Sequence, residues 1–129
     1  MEDKRIERLF EYTKFHIGLY MTVGAGLVAL IAGAADVNSV FHGIVANPKL
    51  LIISVLFMAT AGLAGGVIAS SLTQINSFDE FWTKRQGPWS LTICVGKYWT
   101  WIEHTAFWSS IIFAAASLLG GNIYLFISG

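Results

Sequence analysis

Three stretches of this chain, at about residues 15–35, 50–72 and 105–127, contain no Lys, Arg, Asp or Glu. Each matches the roughly 20 apolar residues a helix needs to cross a hydrocarbon core about 30 Å thick. The pattern predicts an all-α integral membrane protein with three transmembrane helices. The second stretch holds eleven Leu, Ile, Val and Phe residues. At about −0.3 to −0.6 kcal/mol each, they favour insertion by about 3 to 7 kcal/mol. Composition agrees: 55% of residues are hydrophobic and only 12% charged, about half the charge of a typical soluble domain.

The basic residues set the expected orientation. Lys4, Arg5, Arg8 and Lys14 precede the first stretch, Lys49 alone lies between the first and second, and Lys84, Arg85 and Lys97 lie between the second and third. The positive-inside rule then places the amino terminus and the second connection in the cytoplasm and the carboxyl terminus outside. Trp99, Trp101 and Trp108 at one end of the third stretch, and Tyr124 near the other, are expected at the two interfaces. With this bias and no transit peptide, the expected location is a bacterial inner (plasma) membrane, crossed several times.

Eight acidic residues balance eight basic ones, which leaves no net basic face for nucleic acid. The amino-terminal basic residues are interleaved with Glu2, Asp3, Glu7 and Glu11, so they form no polybasic lipid anchor. A lone cysteine, Cys94, rules out an intrachain disulfide and is expected to act as a small apolar residue.

Two motif matches in the first stretch are set aside. Ala32-Gly33-Ala34 resembles a signal-peptidase site, but four acidic residues precede an apolar run longer than a signal peptide's, so cleavage is not expected. Gly24-Ala25-Gly26-Leu27-Val28-Ala29 fits a G-x-G-x-x-A dinucleotide fingerprint, yet Asp36 comes too early and no βαβ alternation follows. Membrane-helix packing explains it better.

Outside the apolar stretches the sequence predicts a collar at about residues 3–14 and 74–104. Ile6, Leu9, Phe10 and Thr13 recur at helical spacing, and Glu7, Arg8, Glu11 and Lys14 offer pairs across one turn. The first helix is therefore expected to run unbroken from near Asp3 to about Ala35. Ser77 followed by Glu80 reads as a capping box that opens a short amphipathic helix ending near Gly87. Pro88 suits a first helical position, so residues 89–101 are expected as an interfacial helix or an extension of the third span.

Small residues recur along the spans. Gly18, Thr22 and Gly26, continuing through Ala29 to Gly33, form a seam on the first. Gly62 and Gly66 form a GxxxG pair on the second, beside Ala61, Gly65 and Ala69. Such seams let membrane helices approach closely. Two seams on three helices leave one for another subunit, so a homo-oligomer is expected, with the collar open to a membrane-protein or cytoplasmic partner.

Chemistry is sparse. No Ser-His-Asp order, metal-spaced Cys and His cluster or phosphate loop is present, so neither enzymatic activity, nor a metal site, nor a cofactor is expected. His16 and His104 are the pair that a haem would need, but no H-R-x-S-G or H-x-x-x-G signature accompanies them. Ionisable groups near a bilayer are functional candidates. His16, Glu103 and His104 should lie at one depth, where a carboxylate and two imidazoles would form a proton-sensitive gate. Deeper, the polar inventory is thin, with Thr22, Ser54, Thr60, Ser109, Ser110, Ser117 and Asn122 and no charged group among them, so a proton relay would lack its usual carboxylate.

Two functions of different class are compatible with this inventory. One is an oligomeric ion channel or membrane-permeabilising effector, serving ion transport, lysis or a defence response. The other is a non-conducting anchor, accessory or immunity subunit that binds a second membrane protein.

Overall fold

The computed structural model describes residues 3–128, excluding the side chains of Ser90 and of residues 121–128. Tyr124 and Asn122, expected near the outer interface, lie outside the described side chains. The fold is 81% helical, and among the described residues three helices are long and apolar enough to cross a membrane. They are α1 (Lys4–Ala35), α3 (Pro48–Leu72) and α5 (Gly96–Ser128). A five-residue helix, α2 (Val40–Ile44), links the first two. The connection before α5 contains α4 (Phe78–Thr83), a two-residue strand β1 (Arg85–Gln86), a 3-10 turn (Pro88–Ser90) and a strand β2 (Cys94–Val95).

Each boundary has a local cause. Asp3 caps α1 by accepting the Arg5 amide. Asn47 caps α3, with Pro48 in its first turn, where a missing N–H costs nothing. Ser77 caps α4 through the Glu80 amide, and the Glu80 carboxylate accepts the Asn76 amide at 3.1 Å. The expected capping box thus forms, with its return bond one residue earlier than usual. Residues 89–95 depart from the helical expectation. Gln86 pairs antiparallel with Cys94 and Arg85 with Val95, so α5 starts only at Gly96. A side chain at Gly96 would collide with the Phe81 carbonyl and ring, which explains a glycine at this junction.

The bundle follows a seven-residue repeat. Leu51, Ser54, Met58, Ala61, Gly65, Ile68 and Leu72 on α3 are buried at alternating spacings of three and four. Thr13, Tyr20, Leu27 and Ala34 on α1 recur every seven residues, and Glu103, Ala106, Ser110 and Ser117 face inward on α5. This is the periodicity of left-handed helix packing. The central helix is α3, antiparallel to both neighbours. The backbones of α1 and α5 stay farther apart, and their side chains bridge the gap.

A second apolar cluster of Ile68, Leu72, Ile75 and Phe81 lies at the end of the bundle that holds the amino terminus, covered by Ile6, Leu9, Trp82 and Trp99. The collar is therefore a packed layer. Asp3 joins its parts, accepting the Phe78 amide at 2.9 Å, while Arg5 pairs with Asp3 at 3.0 Å and lies 5.2 Å from the Phe78 ring centre. These hydrogen bonds, from the Arg5 guanidinium first, lower the Asp3 pKa to about 2. The Asn76 amide and then Lys84 lower that of Glu80.

Candidate functional site

The polar side chains between α1 and α5 converge one to two turns inside the collar. Glu103 is 1% exposed and Tyr20 is 3% exposed. The Tyr20 hydroxyl donates to Glu103 Oε1 at 2.8 Å, and Gly65 of α3 closes the third side. A Cβ on Gly65 would stand 3.6 Å from that oxygen and 3.1 Å from Ile17 Cγ1. The tight approach is to Ile17, and the carboxyl oxygen lies at ordinary contact distance from this face of α3. Nearby on the same face of α1, Thr13 is fully buried and its hydroxyl has no partner among the described residues.

The two histidines lie next to this pair. His16 Nδ1 donates to the Tyr12 carbonyl at 2.8 Å, and His104 Nδ1 donates to that of Thr100 at 3.0 Å. With its proton on Nδ1, a neutral His104 presents Nε2 as an acceptor for the Tyr12 hydroxyl at 3.1 Å. The Tyr12 ring lies 3.9 Å from His16 and 6.1 Å from His104, and His16 lies 5.9 Å from Tyr20, between ring centres. His16, Glu103 and His104 therefore occupy one cluster, as their shared depth suggested. What joins them is a pair of tyrosines that sequence reasoning passed over. The available signal was the seven-residue spacing of Thr13 and Tyr20, which puts a phenol on the inward face.

A second polar assembly locks α3 to α5. Ser54 donates to the Ser110 carbonyl and Ser110 to that of Ser54, each at 2.7 Å, with the hydroxyl oxygens 2.9 Å apart. One heptad outward, the Ser117 hydroxyl donates to the Asn47 carbonyl at 2.7 Å, and the Ser117 carbonyl accepts the Ala46 and Asn47 amides. Ser54, Ser110 and Ser117 are fully buried and bond across helices rather than only back to their own. Thr22 and Thr60 do bond back, to Gly18 and Leu56.

The small-residue seams fall elsewhere. Cβ atoms added at Gly18, Gly26, Gly62 or Gly66 would meet nothing within 4 Å, and Thr22 is exposed. Both seams face outward, and the packing within the chain uses neighbouring positions instead: Gly24 against Met58 and Gly65 against Ile17. Gly33 is the exception. Its Cβ would lie 2.6 Å from the Phe41 ring, so it accommodates the fold-back of α2. Among the aromatics, Trp101 and Trp108 point outward, whereas Trp99 turns in and donates to the Gln86 carbonyl at 2.9 Å. Trp99 thus supports the hairpin.

Among the described residues no group of three or more His, Cys, Asp or Glu side chains is close enough to hold a metal ion. No protein-family model, curated protein or solved structure matches this chain. Its function has to be argued from the geometry.

Proposed function

We propose that this chain is a self-associating membrane protein whose assembly conducts ions or permeabilises the membrane. The observation that carries the reading is that Gly18 and Gly26 on α1, and Gly62 and Gly66 on α3, each leave room beside the backbone that no side chain of this chain fills. Lipid tails offer no hydrophobic drive for helices to meet, and small-residue faces allow the close approach that replaces it. In this reading the chain sits in a bacterial inner membrane with its amino terminus inside, and the conduction path runs between subunits. The cluster of His16, Glu103 and His104 then lies near the cytoplasmic mouth and makes the gate sensitive to pH. Depolarisation of a cell in lysis or defence is the role such an assembly would serve.

The buried hydroxyls favour a second reading. Ser54, Ser110 and Ser117 are spent on contacts within the chain, which leaves the outward seams little polar surface for a hydrated path. A non-conducting accessory or immunity subunit would use the same seams to bind a different membrane protein. Native mass spectrometry of the nanodisc-embedded protein, paired with potassium flux from proteoliposomes, separates the two. A closed homo-oligomer with flux that Gly18→Leu or Gly66→Leu abolishes supports the channel. A monomer without flux under any voltage or pH overturns it.

A further inference from the structure

The loop at residues 87–93 is built to hold apolar side chains in the open. Trp89 is 92% exposed, Leu91 55% and Ile93 48%, although a packed collar lies beside them. Trp89 also adopts φ 52° and ψ 40°, a left-handed conformation that bulky residues seldom take. The loop is braced in this form. Ile93 N donates to the Gln86 carbonyl at 3.2 Å, Leu91 N to that of Pro88 at 3.1 Å, and Arg85 Nη2 to that of Ile93 at 2.8 Å. A Cβ on Gly87 would stand 2.6 Å from the Leu91 carbonyl oxygen. These bonds hold the backbone on both sides of Trp89.

Position and charge identify what the loop meets. Leu91 and Thr92 line a small cleft together with Ser71 and Gln74 at the end of α3, and with Lys84 and Arg85. The loop therefore lies level with the last turn of an apolar helix, where a membrane-spanning chain leaves the hydrocarbon. Trp101, 58% exposed, adds a second outward indole early in α5, and Lys97 lies 5.2 Å from its ring centre. Aromatic rings beside basic groups at the end of a span match the layered chemistry of a phospholipid surface, acyl chain below and phosphate above.

We propose that residues 87–93 form a membrane-interface wedge, with Trp89, Leu91 and Ile93 seated in the headgroup–acyl boundary of phospholipids while Lys84 and Arg85 pair with lipid phosphates. The wedge rests on the membrane-spanning reading and holds whether or not the assembly conducts. It fixes the collar to the bilayer surface through the α4–α5 connection, in addition to the α1 contact of Asp3 with Phe78.

The test uses the full chain with Cys94→Ser and a single nitroxide label at Leu91→Cys or, as a reference, at Thr60→Cys. Both sit in nanodiscs of phosphatidylcholine and phosphatidylglycerol at three to one. Relaxation by oxygen is compared with relaxation by a water-soluble nickel chelate. The expected result is oxygen-dominated relaxation at both sites, with the residue 91 label about 5–10 Å into the interface. Lys84→Gln, which leaves the Arg85 bond to the Ile93 carbonyl in place, should move that label toward water. Nickel-dominated relaxation at residue 91 alone overturns the wedge; the same result at both sites overturns the spanning reading beneath it. Weak relaxation by both reagents at residue 91 means that protein covers the loop, which also overturns the proposal. A label unmoved by Lys84→Gln overturns the phosphate pairing.

Discussion

Replacing Tyr20 by Phe removes one oxygen atom from the interior and leaves the Glu103 carboxyl without its donor. The interhelical hydrogen bonds measured in membrane proteins average about 0.6 kcal/mol and reach about 1.7, because a disrupted group usually finds another partner. Here it does not. Glu103 is 1% exposed, and Gly65 backs its Oε1 so closely that even a methyl group there would touch it. The full penalty of an unsatisfied buried acceptor, about 1–3 kcal/mol, should therefore appear, with about 2 kcal/mol as the working value. That is about a 30-fold fall in the folding equilibrium constant. The assay is reversible unfolding in mixed micelles by titration with dodecyl sulfate, followed by tryptophan fluorescence. Glu103→Gln keeps an acceptor for the phenol and should lose less. A cycle of Tyr20→Phe with Glu103→Leu, which removes the acceptor, should show coupling of at least about 0.5 kcal/mol, as residues in contact do. A Tyr20→Phe protein indistinguishable from the parent, or a cycle with no coupling, would refute the argument that the pair is enclosed.

Other expectations follow from the same structure. Gly65→Leu should destabilise the bundle by about 1–3 kcal/mol through overpacking against Ile17 and Glu103, whereas Gly66→Leu, facing open space, should leave unfolding unchanged and alter only association; the same titration plus native mass spectrometry checks both. Phe81→Ala should cost about 3–5 kcal/mol and expose the collar to limited proteolysis, since Phe81 is fully buried. The Asp3 clasp should be indifferent to pH between 5 and 8. Its folded pKa is lowered to about 2, so its contribution is complete above the unfolded value of 3.8 and lost as pH falls toward 2. Carboxyl carbon NMR of Asp3 should show that low midpoint, and a midpoint near 3.8 would remove the clasp. Ser54→Ala and Ser110→Ala should each cost about 0.6 to 1.7 kcal/mol, because each deletes one hydroxyl-to-carbonyl bond and leaves the other in place, and the double variant should cost more than either in the same titration.

The spans were legible because nothing competes with hydropathy over some 20 uncharged residues, and the start of α1 was legible because Asp3 and the apolar stripe above it agree. The faces were harder to read. In Gly65-Gly66 two adjacent glycines point in different directions, and the GxxxG pattern selects Gly62 and Gly66 although Gly65 makes the contact. The deciding information was the polar series Glu103, Ser110 and Ser117, recurring every seven residues, since hydroxyls and a carboxyl on one stripe must face protein rather than lipid. The hairpin had no such signal. Two-residue strands carry no periodicity, and their pairing depends on Trp99 and Gly96 fitting against α4. His16, Glu103 and His104 were found by the cost of ionisable groups at membrane depth; Tyr12 and Tyr20 carry no such cost and so escaped notice.

The reciprocal serine bonds have a mechanical meaning. The contacts at 54/110 and 47/117 are one heptad apart on antiparallel helices, so no slide of α5 along α3 by less than a heptad can re-form both. These two helices behave as a stator. Among the described residues, α1 makes no hydrogen bond to α3 at all, and its ties to α5 are two phenols, Tyr12 and Tyr20. α1 is therefore held mainly by side-chain packing on α3, with Asp3 fastening one end and Gly33 beneath Phe41 the other.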